Sequence, residues 1–183
     1  YDGQAVFDGE VVEGTGDGEY LYGTVAGDTI KGQGGNDTIY AEGGKDSIDA
    51  GEGDDYVQAG GSHDTVSGGD GHDQIYGELG DDFRSGAAGS DTIYGDDGDD
   101  TISGGDDADY IDAGVGDGNV ATGDGGDDTM YGAGMLDGGD GADFLQTNYS
   151  WWGGYTSVGS HLLGGAGNDT LIGHSGNSGE GGI

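Results

Sequence analysis

Acidic side chains recur in this chain at a fixed spacing of nine residues. From Ala5 to Ala121 the chain divides into thirteen uninterrupted nonapeptides, and the sixth position is acidic in twelve of them. Carboxylate and carbonyl oxygens are hard donors that suit Ca²⁺, which takes roughly six to eight oxygen ligands, whereas Mg²⁺ dehydrates reluctantly. The spacing therefore predicts a series of calcium sites along the chain.

The predicted calcium ligands are the aspartates at position 6 and the glycines at position 4 of the same loops. The aspartates are Asp28, Asp37, Asp46, Asp55, Asp64, Asp73, Asp82, Asp91, Asp100, Asp109, Asp128, Asp143 and Asp169. The glycines are Gly35, Gly44, Gly53, Gly71, Gly80, Gly89 and Gly98. Glu10 and Glu19 replace aspartate near the N-terminal end, so we expect poorer sites there. Gly118 is the one residue in this series without a carboxylate.

Short strands must position these loops. Positions 1–6 are rich in Gly and Asp, as tight turns require, and positions 7–9 have room only for a brief strand whose eighth residue faces inward. Position 8 is aliphatic in twelve of the thirteen nonapeptides. These residues are Val12, Leu21, Ile30, Ile39, Ile48, Val57, Val66, Ile75, Ile93, Ile102, Ile111 and Val120. Arg84 interrupts the series, and we expect Phe83 to turn inward in its place; a functional arginine is the alternative.

The frame is interrupted once and then becomes irregular. Thr122 is one residue too many, after which the pattern resumes at Gly123–Tyr131 and recurs at Gly138–Gln146 and Gly164–Ile172. Together with Gly118, the extra Thr122 and the short segment Gly132–Asp137 predict a fault where stacking bulges or ends. The sequence thus divides into a regular part, residues 5–131, and an irregular continuation with a C-terminal cap, residues 132–183.

These nonapeptides, such as Gly32–Tyr40 (GQGGNDTIY) and Gly95–Ser103 (GDDGDDTIS), resemble the G-G-x-G-x-D-x-U-x repeats of the hemolysin-type RTX family of secreted bacterial proteins. The resemblance covers nearly the whole chain. It implies an all-β fold, a right-handed parallel β-roll or β-solenoid with 18-residue turns and several calcium ions between its loops. It also implies export in an unfolded state (type I secretion) and folding in external calcium, hence a secreted, extracellular location at a cell surface or in a matrix.

With an 18-residue turn, strands nine residues apart lie on opposite faces. Eight of the eleven tyrosines occupy the outward positions 7 and 9, and all of them fall on one face: Tyr20, Tyr22, Tyr40, Tyr56, Tyr76, Tyr94, Tyr110 and Tyr131. They form either a ladder that stabilises neighbouring turns or a contact surface for self-association or a glycan. The candidate partner-binding residues are Tyr20, Tyr40, Tyr76, Tyr94, Trp151 and Trp152. The two tryptophans could instead cap the core.

The composition restricts the possible functions. Gly contributes 49 residues, Asp plus Glu 38, and Lys plus Arg only 3, for a formal net charge of −35. This composition argues against nucleic acid as a partner, because phosphate contacts need Lys and Arg. There is no apolar run long enough for a transmembrane segment. The chain begins at Tyr1, which suggests a processed or truncated product.

No catalytic motif is present, so we expect the chain not to be an enzyme. The favoured hypothesis is a calcium-binding extracellular structural protein that folds on calcium and belongs to a secreted assembly, such as a filament, a surface layer or an adhesin. The alternative is a calcium-dependent binding or secretion module of a larger secreted enzyme that acts on polysaccharide.

Overall fold

Short strands alternate between two parallel sheets along the chain. The computed structural model describes residues 9–147 and 160–173, and the backbone of 178–180. One sheet has ten strands: β1 (Val11–Glu13), β3 (Thr29–Gly34), β5 (Ser47–Glu52), β7 (Thr65–Asp70), β9 (Phe83–Ala88), β11 (Thr101–Asp106), β13 (Val120–Gly125), β15 (Met135–Asp137), β17 (His161–Leu163) and β19 (Ser178–Glu180). The other has nine: β2 (Tyr20–Tyr22), β4 (Thr38–Tyr40), β6 (Tyr56–Gln58), β8 (Gln74–Tyr76), β10 (Thr92–Tyr94), β12 (Tyr110–Asp112), β14 (Thr129–Gly132), β16 (Phe144–Thr147) and β18 (Thr170–Ile172).

The strand register confirms the predicted 18-residue turn. Ile30 pairs with Ile48 in the ten-stranded sheet, and Ile39 pairs with Val57 in the nine-stranded sheet. Each strand thus lies beside the one a full turn later, and consecutive strands lie in different sheets. This all-β, parallel arrangement is the β-roll that the repeat predicts.

The loops turn sharply because two of their positions adopt positive φ. Gly69, at position 2 near the end of β7, has φ of 119°, and Gly71, at position 4 in the loop before β8, has φ of 140°. A Cβ atom on Gly71 would lie 2.2 Å from the carbonyl oxygen of Gly53, its equivalent one turn earlier. Glycine at position 4 therefore permits both the backbone conformation and the close approach of successive loops.

The hydrophobic core is a thin double row between the sheets. It consists of the inward residues of position 8, such as Ile30, Ile39 and Ile75, together with small residues at position 1, such as Ala41 and Ala50. All five are fully buried. Two rows of aliphatic side chains bury little apolar surface for a chain of this charge, so the loops must contribute to stability.

The position assigned to the extra residue was wrong. Val120 pairs with Thr101 and Ala121 pairs with Ile102, so Ala121, not Val120, faces the core. Asn119, not Gly118, takes the buried place of position 6. The extra residue therefore lies in the loop between β12 and β13. A loop can absorb one residue, whereas an insertion within a strand would turn its side chains to the wrong face.

Stacking continues through the irregular region. Leu136 in β15 pairs with Ala121 and is fully buried, and it also pairs with Leu162 in β17. Both sheets thus extend past residue 131, and the predicted division of the chain there stays a prediction. Trp151 and Trp152, with their predicted capping or partner-binding role, lie outside the described residues. Within the described part of the chain, no helix has the length and apolarity that crossing a membrane requires.

Candidate metal centre

The predicted aspartates form two stacks, one at each edge of the roll. One stack precedes the odd-numbered strands, which form the ten-stranded sheet, and we call it the odd ladder after those strands. Its members are Asp28, Asp46, Asp64, Asp82 and Asp100. The other stack precedes the even-numbered strands, which form the nine-stranded sheet, and we call it the even ladder. Its members are Asp37, Asp55, Asp73, Asp91, Asp109, Asp128, Asp143 and Asp169. Apart from Asp169, every member is no more than 3% exposed. Carboxylates are rarely buried to this extent without a partner.

One oxygen of each ladder carboxylate is fixed by the preceding turn. The backbone N–H of Asp55 donates to Oδ1 of Asp73 at 2.8 Å, and the N–H of Asp73 donates to Oδ1 of Asp91 at 2.8 Å. In the odd ladder, the N–H of Asp46 donates to Oδ1 of Asp64 at 2.8 Å. These hydrogen bonds lock the side-chain orientation and keep successive carboxylates in register.

The other oxygen, Oδ2, is buried and has no hydrogen-bond donor in eleven of these aspartates. They are Asp37, Asp46, Asp55, Asp64, Asp73, Asp91, Asp100, Asp109, Asp128, Asp143 and Asp169. A buried carboxylate oxygen without a partner is costly, and the cost is repeated turn after turn. A cation or a proton bound at these oxygens would remove this cost.

The pKa values of the ladder carboxyls also indicate that their negative charges are poorly compensated by the protein. Burial, opposed in part by the backbone hydrogen bond from the preceding turn, raises the pKa of Asp55 and Asp109 to about 7. Repulsion from ladder neighbours adds to the effect, as Asp73 and Asp37 do for Asp55. Burial likewise raises the pKa of Asp64, Asp73, Asp91 and Asp128 to about 6. A divalent cation removes both causes, since it replaces lost hydration and neutralises adjacent charges.

The carboxylates cannot hold such a cation alone. Among the described residues, no three His, Asp or Glu side chains converge on one point. Ca²⁺ needs more oxygens than one or two carboxylates supply, so the remaining ligands would have to be main-chain carbonyls or water. The predicted position-4 glycines are in the right part of the fold, because they stack in register within the same loops. This donor set fits Ca²⁺.

Asn119 shows what the unpartnered oxygen lacks. Its Oδ1 accepts the N–H of Asp100 at 2.8 Å, as a ladder aspartate would, and its Nδ2 donates to the carbonyl of Ala113 at 2.6 Å. The Nδ2 group of Asn119 occupies the place of a carboxylate Oδ2, and it has a hydrogen-bond partner within the protein. The carboxylates of the odd ladder accordingly end at Asp100.

Arg84 supplies a second exception, and the expectation that Phe83 would turn inward was wrong. Arg84 is fully buried and Phe83 is 51% exposed. Nη2 of Arg84 donates to Oδ2 of Asp82 at 2.5 Å and to Oδ1 of Asp100 at 3.0 Å, while Nη1 donates to the carbonyl of Tyr94 at 3.1 Å. The arginine stays inside because it compensates two buried carboxylates.

Near the N-terminal end, threonine residues donate hydrogen bonds to the carboxylates. The N–H and hydroxyl of Thr24 donate to Oδ2 of Asp28 at 2.6 and 3.1 Å. One repeat earlier, the N–H and hydroxyl of Thr15 donate to the exposed carboxylate of Glu19, and these hydrogen bonds lower its pKa. Glu19 thus has a protein partner at the end where poorer calcium sites are predicted. Asp28 has one too, although it is among the predicted calcium ligands.

Sequence reasoning missed a further set of hydrogen bonds at position 5. Asn36 Oδ1 accepts the N–H of Asp54 at 3.1 Å, Asp54 Oδ1 accepts the N–H of His72 at 3.0 Å, and His72 Nδ1 accepts the N–H of Ser90 at 3.0 Å. These side chains accept hydrogen bonds from the backbone of the following turn, whereas the ladder aspartates accept them from the preceding turn. The detectable signal was polar acceptors at position 5 eighteen residues apart.

The eight tyrosines at positions 7 and 9 lie on the outer face of the nine-stranded sheet. Seven of them form a continuous column with Phe144, which we call the tyrosine ladder: Tyr22, Tyr40, Tyr56, Tyr76, Tyr94, Tyr110 and Tyr131. Neighbouring ring centroids are 4.9–6.1 Å apart. Where position 9 carries Gln58 or Asp112, Tyr56 or Tyr110 at position 7 supplies the ring. Every turn along this column thus contributes an aromatic side chain.

Stacked loops, a two-sheet roll and buried unpartnered carboxylates define a cation-binding parallel β-roll. The sequence model of the RTX calcium-binding nonapeptide repeat matches residues 13–48, 22–57, 49–83, 85–120, 118–134 and 160–178. These matches span well over half of the chain, which belongs to this family and binds several calcium ions in its roll. Proteins with these repeats are typically secreted. A comparison with curated proteins gave no match.

Proposed function

We propose that this chain is a calcium-stiffened structural protein of an extracellular assembly, such as a filament, a surface layer or an adhesin, and that it has no catalytic role. The observation that supports it is the tyrosine ladder, an uninterrupted aromatic column on one face of the roll. Tyrosine combines a large contact area with a polar hydroxyl and is enriched at protein interfaces. A second copy of the chain is the partner that this face would take.

Calcium controls such an assembly at two levels. The unpartnered Oδ2 oxygens of the ladder aspartates, with position-4 carbonyls such as those of Gly53 and Gly71, would hold the ions, and their binding energy would contribute directly to folding. The bound ions would also reduce a net charge of −35, which otherwise keeps copies of the chain apart. Folding and association of the chain would thus both require bound calcium.

Sedimentation velocity and electron microscopy with calcium and with chelator test this proposal. The protein should form large, chelator-soluble assemblies in calcium. Combined Tyr40→Ser, Tyr76→Ser and Tyr94→Ser substitutions should reduce assembly severalfold and leave the calcium-induced far-UV circular dichroism in place. Phe83→Ser is the matched control, since Phe83 is an exposed aromatic residue on the opposite sheet. A wild-type protein that stays monomeric in saturating calcium would contradict the proposal.

The alternative, a binding module of a larger secreted enzyme that acts on polysaccharide, also has a specific observation in its favour. Beside the tyrosine ladder lies a cavity of about 100 Å³ lined by Tyr40, Glu42, Gln58, Gly60 and Glu78. An aromatic ring flanked by carboxylate and carboxamide groups suits a sugar, which presents an apolar face and hydroxyls. Glycan-array binding in calcium that disappears with Tyr40→Ser would favour this alternative, and a wild-type array without signal would remove it.

A further inference from the structure

Within the part of the chain that the structure describes, Arg84 is the only basic side chain inside the roll. The chain has 3 Lys and Arg residues in all, and the other two, Lys31 and Lys45, are exposed. Arg84 is fully buried at position 8, where every neighbouring turn has an aliphatic residue. Burial of a guanidinium is costly unless its charge is compensated, so this residue needs a counterpart of opposite charge. Its Nη1 and Nη2 have hydrogen-bond acceptors, whereas its Nε has none.

That counterpart is a pair of odd-ladder carboxylates. Nη2 lies 2.5 Å from Oδ2 of Asp82 and 3.0 Å from Oδ1 of Asp100, and all three side chains are fully buried. Asp82 Oδ2 is the oxygen that lacks a donor in the equivalent Asp64. Arg84 thus partners the oxygen that has no partner in Asp46 and Asp64 of the same ladder.

We propose that Arg84 is a permanent internal cation that takes the place of a calcium ion between Asp82 and Asp100, so that this one step of the odd ladder binds no metal. The inference rests on the proposed ligand role of the ladder carboxylates. Arg84 would thus form a metal-independent link between two turns of a roll in which eleven ladder carboxylates have no hydrogen-bond partner at Oδ2.

The available space supports this assignment. A Cβ atom built on Gly77, the position-1 residue of the Asp82 loop, would lie 1.7 Å from Nη2 of Arg84. In the Asp73 loop, a Cβ atom on the corresponding Gly68 would instead lie 2.2 Å from Oδ2 of Asp73. The guanidinium therefore fills the space next to the position-1 glycine, and an ion bound to Asp82 Oδ2 would have to share that space.

The positive charge of Arg84 also disfavours a calcium ion between Asp82 and Asp100. The guanidinium of Arg84 is a positive group that already lies against both carboxylates. Asp82 and Asp100 together carry two negative charges, and Arg84 already neutralises one of them. A Ca²⁺ ion added between them would approach a buried positive charge at a distance of a few ångströms, which is strongly repulsive in the interior.

The test counts bound calcium. Arg84→Ile restores the aliphatic residue of the neighbouring turns, and native mass spectrometry in saturating calcium should show one more calcium ion per folded chain than in the wild type. Lys31→Gln, which removes an exposed positive charge from the same sheet, should leave the count unchanged. An Arg84→Ile variant that folds with the wild-type count would overturn the proposal.

A second measurement applies if Arg84→Ile does not fold. Anomalous diffraction from wild-type crystals grown in calcium should show ions at the equivalent step between Asp46 and Asp64, and none between Asp82 and Asp100. An ion between Asp82 and Asp100 would refute the role of Arg84 and leave the calcium ladders intact. Ladders without any ion would refute the proposed ligands themselves.

Discussion

The two oxygens of a ladder carboxylate have different surroundings, and each has its own task. Oδ1 of Asp73 accepts the N–H of Asp55 and belongs to the architecture of the roll. Oδ2 is buried without a donor and is available to a cation. An asparagine would retain the first function and lose the second, because its Nδ2 is a donor that repels a metal ion.

Asp73→Asn should therefore raise the calcium concentration needed for half-maximal folding severalfold and remove about one bound ion. Calcium titration followed by far-UV circular dichroism measures the first effect, and native mass spectrometry the second. The control is Asp70→Asn, which removes the same charge from an exposed side chain in the same nonapeptide. Equal shifts for both variants would mean that only net charge matters.

Individual residues also mark where sequence reasoning succeeds. The ladder aspartates could be predicted because a nine-residue period fixes their loop, edge and neighbours. Arg84 could not, since an aliphatic row suggests that a charged residue must leave it; only the three-dimensional proximity of Asp82 and Asp100 shows why it stays. Asn119 was missed because a loop rich in Gly and Asp does not reveal which of its residues is the extra one.

At the level of the loop, stacking depends on backbone conformation as much as on side chains. Position 4 adopts positive φ in successive turns, as at Gly53 (125°), Gly71 (140°) and Gly89 (115°). The motif predicts this, because glycine reaches such angles without steric cost. The motif does not predict the different strand lengths of the two sheets, six residues in β3 against three in β4.

Gly71→Ala should destabilise the calcium-bound roll by about 1–3 kcal/mol, from backbone strain and from collision with the Gly53 carbonyl. Gly61→Ala is the matched control, because no atom lies within 4 Å of a Cβ built there. Thermal unfolding in saturating calcium compares the two. If Gly61→Ala cost as much as Gly71→Ala, the effect would reflect glycine content and not the stacked geometry.

For the whole molecule, the ladder carboxyls couple folding to protons and, as the proposed calcium ligands, to calcium. Without calcium, burial raises the pKa of carboxyls such as Asp55 and Asp109 to about 7, from an ordinary value of about 4. The folded metal-free chain therefore binds more protons than the unfolded chain between these values. The resulting stability is complete below about pH 4 and is lost as the pH rises through about 7.

The chelated protein should accordingly be unfolded at pH 7 and gain strand structure when acidified toward pH 5. Far-UV circular dichroism in chelator across this range is the measurement. Sodium chloride at constant pH 7 is the control, since it screens exposed charges but does not protonate buried carboxyls. A chelated chain that is as strand-rich at pH 7 as the calcium-bound chain would show that the ladders need no compensation.

The tyrosine ladder also gives the folded roll an optical property. Rings 4.9–6.1 Å apart are close enough for their electronic transitions to couple, so an excitation absorbed by one phenol can pass along the column. The column exists only while successive turns are in register, because no two of its rings are adjacent in the sequence. The chain thus carries an intrinsic chromophore array whose exciton signal reports the stacking of its turns.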